Sequence, residues 1–453
     1  MPEVADLIIR GATRLEPGQP RQEVEAVIEN GVLVELHPLH WGGRPTLIGV
    51  GRDPGRGTKD KQVIVASGMY LAPGFTDIHT HLREPGQEHK ETIRSGAEAA
   101  AAGGFTSIVA MANTEPPVDR PEVLRDVMDR ARAADVRVSS VAAVSQGLAG
   151  GKLTDFEALA GAGAVAFSDD GRNAYGLELA VEALQRAAKL DRAVLVHAQD
   201  ESTCPDGQVN DAVANSTGLR PWPCDAEVSA VKQALEACRR SGGRLHLQHI
   251  SCATTLRLLE KAKEDGLPVT AEVTPHHLAL TEGRVLAGIE PDPLAKVNPP
   301  LRTDNDRVAL VAALASGLID AVATDHAPHD AASKDLEFKL ASFGFSGLET
   351  ALSLCLELVE TGALKLDRLV EAMTVGPWRC LMPGLGQPAP GLRVGETADL
   401  VLFETKGMRA LDPAQMLSRG KNTPLIGREM RGRVLLTIAA GQVVHSDWFA
   451  GVS

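Results

Sequence analysis

Apolar and polar residues alternate along the chain in two different ways, and the change between them divides the sequence into three parts. Near both ends, runs such as DLIIRGATRL and VEAVIENGVLVEL at the start and REMRGRVLLTIAAGQVVH at the end alternate between apolar and polar positions. This alternation is typical of short antiparallel strands with one buried face. We therefore predict one small, β-sandwich-like domain formed by both termini, from residues 1–70 and 385–453.

Between these ends, residues 71–384 alternate short apolar runs with Ala- and Leu-rich segments of helical spacing, such as LELAVEALQRAAKL. Eight runs read as strands: FTDIHTHL, FTSIVAMANT, VRVSSVAAV, AVAFSDDG, AVLVHAQD, RLHLQHIS, PVTAEVTPHH and DAVATDHAPH. Eight β/α units predict an α/β fold in which this part forms a (β/α)8 TIM-like barrel. An open doubly wound sheet is the competitor, but no Gly-x-Gly-x-x-Gly follows the first strand.

Composition and charge exclude several classes of protein. The 453 residues, 44% hydrophobic and 23% charged, are ordinary for a globular protein. The net charge of −13, with no basic stretch to offset it, argues against a nucleic-acid partner. No apolar run approaches the roughly 18 residues that span a bilayer, and the start lacks the pattern of a signal peptide. We expect a cytoplasmic protein with no membrane association.

Two further features concern the cysteines and one loop. The six cysteines are scattered and form no Cys-x-x-Cys motif; they are Cys204, Cys224, Cys238, Cys252, Cys355 and Cys380. This predicts thiols in a reducing compartment, and neither a disulfide framework nor a thiolate zinc site. A Gly/Arg-rich stretch at residues 41–60 predicts a long surface loop.

Polar side chains recur at the ends of the predicted barrel strands. They are His79 and His81 after the first run, Asp169 and Asp170 after the fourth, His197 after the fifth, His249 after the sixth and Asp325 after the eighth. In a barrel, these ends meet on one face. Histidines and carboxylates without thiolates suit Zn²⁺ or another borderline divalent ion in a catalytic site.

The set is too large for one four-coordinate ion, so we expect two ions. His79, His81 and Asp325 would hold one, His197 and His249 the other, with a carboxylate between them. Two such ions share a hydroxide and polarise the bond that it attacks. The predicted reaction class is metal-assisted hydrolysis.

The motifs around these positions resemble a known family. DIHTHLREPG, MANTEPPVD, FSDDG, TPHHLALT, NPPLR, TDHAPH and FGFSGLETAL together resemble the bacterial dihydroorotases of the single-chain barrel type, in the amidohydrolase superfamily. The resemblance runs from about residue 5 to residue 447. It implies reversible hydrolysis of the cyclic amide of (S)-dihydroorotate to N-carbamoyl-L-aspartate, in de novo pyrimidine (UMP) biosynthesis.

The resemblance also implies roles for individual residues. The metal ligands would be His79, His81, Asp170, His197, His249 and Asp325, with Asp170 and a hydroxide bridging two Zn²⁺ ions per chain. The small-molecule substrate would contact His81, Arg83, Asn113, Asn298, His329 and the backbone of Phe343 and Gly344. Arg83 would grip the substrate carboxylate with two parallel hydrogen bonds. We expect Asp325 to act as general base and then as general acid.

Nearby polar residues are expected to have supporting roles. Asp169 orients or caps, His276 and His277 support the site from the seventh strand end, His246 packs among helices, and His89 and Glu91 belong to a loop near the mouth. Residues 332–350 predict a loop over the mouth, with glycines that leave backbone amides free to approach a small ring.

Two other functions remain open. Related cyclic amidases (hydantoinase, dihydropyrimidinase or allantoinase) typically bridge their metals with a carboxylated lysine, where this chain has AVAFSDDG and no lysine. A dihydroorotase-like scaffold for aspartate transcarbamoylase would lose metal ligands, whereas this chain keeps all six. We expect a homodimer, and a complex with aspartate transcarbamoylase stays open.

Overall fold

The computed structural model describes residues 3–39, 49–52, 62–172, 175–381, 386 and 388–448. Its strands, β1 to β18, are Glu3–Val4, Leu7–Arg14, Gln22–Glu29, Val32–Pro38, Gly49–Arg52, Gln62–Val65, Tyr70–Pro73, Phe75–Thr80, Phe105–Ala110, Arg137–Ser140, Phe167–Ser168, Val194–Val196, Leu245–Leu247, Val269–Val273, Ala321–Val322, Leu400–Ala410, Glu429–Ala439 and Gln442–Ser446. Its α-helices, α1 to α13, are Ile93–Ala102, Pro121–Ala131, Phe156–Gly161, Leu177–Lys189, Asp211–Thr217, Cys224–Ser241, Ala253–Glu264, Pro275–Ala279, Asp304–Ser316, Ala331–Lys334, Ala351–Glu360, Leu366–Met373 and Val375–Leu381. Short 3-10 helices cover Gln146–Leu148, Glu282–Arg284, Pro293–Ala295 and Leu348–Thr350.

Strands β8 to β15 form the predicted barrel. They pair in parallel as two sheets, β10-β9-β8 and β11-β12-β13-β14-β15. Two parallel bridges join the sheets and close the ring, Ala142 with Phe167 and Thr80 with His326. Each of the eight strands falls in one of the eight apolar runs, so the prediction of a (β/α)8 barrel is confirmed.

The barrel strands are buried on both faces because helices cover the outside. Every residue of β8 and β9 is buried. Helix α2 shows how the covering works: Val123, Leu124, Val127 and Ala131 are buried along one stripe, and this spacing places them on one side of a 3.6-residue helix. The polar residues that follow the strands therefore emerge from an apolar scaffold.

The two ends of the chain share one sheet, in the order β1-β18-β17-β16-β7-β2-β3-β4. Its core combines residues from both termini, among them Ile9, Ile28, Leu71, Leu400 and Ile438. The prediction of antiparallel strands was wrong in one respect. Strand β2 pairs in parallel with β6 and β7, which lie on the edge of β2 opposite to β3.

Part of the Gly/Arg-rich stretch at residues 41–60 is a strand and not a loop. β5 pairs antiparallel with β6; the rest of that stretch lies outside the described residues. Within the described ranges, no helix combines the length and apolar character needed to cross a membrane.

The prediction that the cysteines form no disulfide was wrong, because Cys224 and Cys252 are paired. The other four are free and buried. The paired residues come together because α6 begins beside the turn that follows β13. There, Glu227 of α6 accepts the backbone N–H groups of Ser251 and Cys252, both at 3.1 Å. The two cysteines are 28 residues apart in sequence. Their spacing alone does not predict that the fold brings them together.

Candidate active site

The end of β8 brings together the first group of candidate metal ligands. His79 lies on β8 and His81 directly follows its last residue, and the two imidazoles face the same side, as the two-residue spacing of an extended chain predicts. The Nε2 atom of His81 lies 2.9 Å from Oδ1 of Asp325 and 3.4 Å from Oδ2 of Asp170. The Nε2 atom of His79 lies 3.3 Å from Oδ1 of Asp170 and 3.5 Å from Oδ1 of Asp325.

The ends of β12 and β13 supply the second group. Nδ1 of His197 lies 2.8 Å from Nε2 of His249. Both nitrogens face Oδ1 of Asp170, at 3.5 and 3.7 Å. His79, His81 and Asp170 form one set whose ligand atoms lie close enough to hold an ion, and Asp170, His197 and His249 form another.

Asp170 is the residue common to both groups. Its Oδ1 is buried and has no hydrogen-bond partner within the described part of the chain. Burial alone would raise the pKa of Asp170, but the charge of His79 and the imidazoles of His197 and His249 hold it well below its usual value. A buried, ionised carboxylate oxygen without a donor needs a cation beside it.

The field at this end of the pocket favours positive charge. Burial opposes a charge on His79, yet the carboxylates of Asp170, Glu272 and Asp325 raise the pKa of His79 well above its usual value. The pKa of Asp325 is lowered, because the charges of His79 and His81 outweigh its burial. The same carboxylates that favour a proton on His79 would favour a divalent ion in its place.

Three pocket residues have a left-handed backbone, which side chains other than glycine rarely adopt. They are Arg83, His249 and Asp325, with φ of 64°, 32° and 49°. Such conformations cost energy and persist where the surrounding structure fixes them, often at functional sites. Each bends the chain just after a barrel strand.

The sequence reasoning missed Glu272 and Gln199, which orient histidines from behind, and it assigned Asn113 to the substrate and not to this role. Glu272 on β14 contacts Nδ1 of His79, Asn113 places Oδ1 2.9 Å from Nδ1 of His81, and Gln199 places Oε1 2.9 Å from Nε2 of His197. Each acceptor leaves the other ring nitrogen of its histidine facing the centre of the site. Alternation in VTAEV, which turns Glu272 into the barrel, is the signal that could have revealed it.

The prediction that His246 packs among helices was wrong. Its Nε2 lies 3.0 Å from Oε2 of Glu272, and its Nδ1 lies 2.8 Å from Oγ1 of Thr270. Leu245 and Leu247 alternate with His246 and belong to the apolar core. His246 therefore shares with Glu272 a polar layer that reaches the candidate metal ligand His79.

A cavity of about 230 Å³ opens beside these groups. It is lined by all the residues assigned to the substrate, namely His81, Arg83, Asn113, Asn298, His329, Phe343 and Gly344, together with Asp170, His197, His249, Asp325, Gly171 and Ala327. The volume suits a small ring with few substituents.

Arg83 supplies buried positive charge to this cavity. It is only 8% exposed, and it forms no ion pair with any residue that the structure describes. Its Nε donates to the carbonyl oxygen of Pro328 at 3.2 Å, and Nη2 lies 3.3 Å from Nε2 of His329. Burial lowers the pKa of Arg83 to about 10. A buried guanidinium without a carboxylate partner is prepared for an anion.

His329 is neutral and has one free nitrogen. Its Nε2 lies 2.8 Å from the carbonyl oxygen of Phe343, so Nε2 carries the proton there. Burial, with the nearby charge of Arg83, lowers the pKa of His329 to about 2. Nδ1 is buried without a hydrogen-bond partner among the described residues.

Two of the residues that line the cavity use polar groups for hydrogen bonds within the fold. The Oδ1 of Asn113 is taken by His81, and its Nδ2 lies 3.4 Å from the carbonyl oxygen of Asp170. The amide of Gly344 is not free, since it donates to the carbonyl oxygen of Lys296 at 2.8 Å. The expectation that this glycine offers its N–H to a ring was wrong, because a buried N–H is satisfied within the fold.

The remaining polar residues lie outside the two groups. Asp169 accepts backbone N–H groups of Val144 and Ser145, so it orients the turn and points away from the histidines, as predicted. His277 contacts Thr274 and the carbonyl of Pro299, and His276 packs against Phe345.

His89 is exposed, and Glu91 lies in the irregular segment that precedes α1, as predicted for a loop residue. Glu91 is fully buried. It accepts the hydroxyl of Ser418 at 2.6 Å and lies 3.3 Å from Nε2 of His326.

Comparison with solved structures defines the class of the fold. An L-hydantoinase (dihydropyrimidinase) from Arthrobacter aurescens superposes with a TM-score of 0.81 over 98% of this chain and 97% of its own, at 24% identity. A dihydropyrimidinase from Brevibacillus agri NCHU1002 gives 0.79 over 97% and 95%, at 23% identity. The chain therefore shares the fold of these two enzymes, and the His/Asp groups able to bind metal follow the strands of its barrel.

Sequence comparison defines the family. A family model described as dihydro-orotase-like matches residues 68–255. A dihydroorotase from Anaeromyxobacter dehalogenans (strain 2CP-C) is 45% identical over 86% of this chain and 89% of its own. A dihydroorotase from Syntrophus aciditrophicus (strain SB) is 39% identical over 97% and 99%. The chain belongs to the dihydroorotase family.

Proposed function

We propose that this protein is a dihydroorotase, which interconverts (S)-dihydroorotate and N-carbamoyl-L-aspartate in pyrimidine biosynthesis. One observation carries the proposal: a single small cavity combines two His/Asp groups able to hold metal with a buried arginine that has no carboxylate partner among the described residues. Family membership supports the same substrate. A cyclic amide that bears a carboxylate fits both ends of this cavity.

The donor set fits two divalent ions, and we propose zinc. His79, His81, Asp170 and Asp325 would hold one ion, and Asp170, His197 and His249 the other. The buried, unpartnered Oδ1 of Asp170 supports this assignment, because it faces nitrogens of both groups. When bound, the ions would supply polarisation of the amide carbonyl and a lower pKa for water.

Asp325 would move the proton. In hydrolysis, water adds to the carbonyl carbon of the ring amide, the C–N bond breaks and the ring nitrogen gains a proton. Asp325 lines the cavity beside His81 and is ionised, so it would accept the proton from water and return it to the departing nitrogen. His81 and the left-handed backbone at Asp325 hold the carboxylate in place.

Arg83 would bind the carboxylate of the substrate, with His329 beside it. Buried charge-assisted pairs are strong and directional. The chain has a net charge of −13, which disfavours an anionic substrate, and Arg83 supplies the local positive charge that such a substrate needs. This observation also favours dihydroorotate over hydantoins and dihydropyrimidines without a carboxylate. Asp170 is common to the two groups, and no lysine is among the described residues that line the cavity.

We also propose that the chain divides into a barrel domain of residues 71–384 and a terminal domain of residues 1–70 and 385–453. We propose that the protein is a homodimer and that it acts in the cytoplasm. The Cys224–Cys252 pair removes one argument for the cytoplasm, since that argument counted every cysteine as a free thiol. All six candidate metal ligands are retained, so a chain in complex with aspartate transcarbamoylase would still be an active enzyme.

An assay with several substrates tests the proposal. Purified enzyme with measured zinc content should hydrolyse dihydroorotate and form it from N-carbamoyl-L-aspartate, with little action on hydantoin or allantoin. Turnover of hydantoin or allantoin without turnover of dihydroorotate would contradict it. Zinc-loaded protein inactive on all three would favour the scaffold function.

A further inference from the structure

Two lysines are buried beside the cavity without a carboxylate partner in the described ranges. Lys296 is 2% exposed and Lys334 is 4% exposed. Burial lowers the pKa of Lys296 to about 8, and burial with the neighbouring charge of Lys296 lowers the pKa of Lys334 to about 7. Buried lysines are rare unless they are paired. Their partners here are backbone carbonyls.

Lys296 holds the first part of the segment that ends in the cavity wall. Its Nζ donates to the carbonyl oxygens of Phe338 at 2.8 Å, Lys339 at 3.2 Å and Ala341 at 2.8 Å. An ammonium group has three N–H donors, so these carbonyls match its full capacity. The same Nζ lies 4.4 Å from the ring centre of Phe343, at cation–π distance.

Lys334 holds the second part. Its Nζ donates to the carbonyl oxygens of Ser342 at 2.8 Å and Gly344 at 3.0 Å, with that of Lys296 at 3.5 Å. The backbone of Lys296 also holds the segment, because its carbonyl oxygen accepts the N–H of Gly344. The two lysines therefore fix one another as well as the segment.

Two further side chains from elsewhere in the fold also donate to carbonyls of the segment. His329 donates to the carbonyl of Phe343, and Nδ2 of Asn422 donates to that of Gly344 at 3.1 Å. The segment 338–344 is thus held by side chains along its length. This differs from the loop over the mouth that the sequence suggested, whose amides would be free.

We propose that Lys296 and Lys334 are positioning residues that hold segment 338–344 as a fixed wall of the cavity. They place the Phe343 ring and the Gly344 backbone against the substrate before it binds. When protonated, they also add positive charge behind the wall, at the end of the cavity where Arg83 lies. The kinetic part of this inference rests on the proposed function, whereas the fixed wall does not.

Hydrogen exchange on the zinc-loaded wild-type enzyme tests the fixed wall. The amides of Ser342 and Gly344 donate to the carbonyls of Ser333 and Lys296, outside the segment, and that of Ala341 donates to Glu337 in the adjoining turn. We expect slow exchange over residues 338–346 in the free enzyme, changed by less than about threefold when orotate, a planar analogue of dihydroorotate, is added. Fast exchange in the free enzyme that orotate slows by two or more orders of magnitude would show a closing lid and overturn the proposal.

Variants test the lysines themselves. Lys296→Met and Lys334→Met should speed exchange of residues 338–346 at least about tenfold. They should lower kcat/KM for dihydroorotate by roughly 10- to 100-fold, mainly through KM, with zinc content unchanged. The matched control is Lys339→Met, since that side chain is 60% exposed on the same segment; it should stay within about twofold in kcat/KM.

Several outcomes would contradict the assignment. Exchange and KM unchanged in both folded variants would remove the positioning role. Loss of zinc together with loss of kcat would indicate a general structural role. If a variant does not fold, hydrogen exchange of the wild type still tests whether segment 338–344 is a fixed wall. If the enzyme does not act on dihydroorotate, the exchange comparison between variants and control stands without the kinetics.

Discussion

The two ends of the cavity have opposite electrostatic character. At one end, the carboxylates of Asp170, Asp325 and Glu272 surround four histidines and favour a cation. At the other end, Arg83 carries positive charge and the two buried lysines add to it when protonated, and none of the three forms an ion pair within the described residues. Each end has an excess of one sign of charge. A metal ion would compensate the carboxylates at the first end, and a substrate carboxylate would compensate the cations at the second. A ring with an amide at one side and a carboxylate at the other satisfies both.

The largest effect should come from removing the carboxylate shared by the two groups at the metal end. Asp170→Ala should lose at least one zinc per chain and reduce kcat by more than about 10³-fold, because both groups use this residue. Metal analysis and turnover on the same sample give the result. A chain-supplied carboxylate needs no bicarbonate, so reconstitution of the wild type should not depend on it. A fully active Asp170→Ala, with an inactive Asp169→Ala, would show that the other aspartate is the bridge.

A smaller effect at the same end should separate proton transfer from metal binding. Asp325→Asn keeps shape but loses a base, so kcat should fall by roughly 10²–10⁴-fold while most of the zinc is retained. Asp335→Asn, at an exposed position, is a matched control and should be unchanged. Near wild-type turnover of Asp325→Asn with both metals present would exclude the proton-transfer role.

At the anion end, a conservative change should affect affinity and leave the metals in place. Arg83→Lys keeps the charge but loses the two parallel hydrogen bonds, so kcat/KM for dihydroorotate should fall by roughly 10- to 100-fold. Zinc content should be unchanged, since Arg83 belongs to neither metal group. Wild-type kinetics in this variant would remove the argument that this end is built for a carboxylate.

The smallest effect concerns stability against pH. The pKa of Lys334 is about 7 when folded, because burial and Lys296 lower it more than Asp292 raises it, against 10.5 for a free lysine. Between these values the unfolded chain binds more protons, so this lysine makes the free energy of unfolding rise with pH. The increase from pH 7 to pH 9 should be roughly 2 kcal/mol larger in wild type than in Lys334→Met. Denaturant titrations of both proteins at both pH values measure this difference. Equal increases in wild type and Lys334→Met would show that the pKa of Lys334 is not lowered.

The sequence could predict the metal end better than the anion end, for a physical reason. His79, His81 and Asp170 stand at strand ends, and a barrel brings strand ends together whatever the details of packing. Glu272 is 193 residues from His79, and only the register of β14 places it there. Lys296 and Lys334 donate to backbone carbonyls, which every residue carries, so no sequence pattern marks these contacts. The Cys224–Cys252 pair was missed because it depends on how α6 meets the turn after β13.

A comparison of two substrates tests the account most directly. Dihydrouracil has the ring of dihydroorotate without the carboxylate, so the pair isolates the anion end. Wild-type enzyme should prefer dihydroorotate in kcat/KM by at least about 10²-fold, as expected for a buried charge-assisted pair. Arg83→Met, with its zinc retained, should lose most of that preference and keep its residual rate on dihydrouracil. An undiminished preference for dihydroorotate in Arg83→Met would contradict the account.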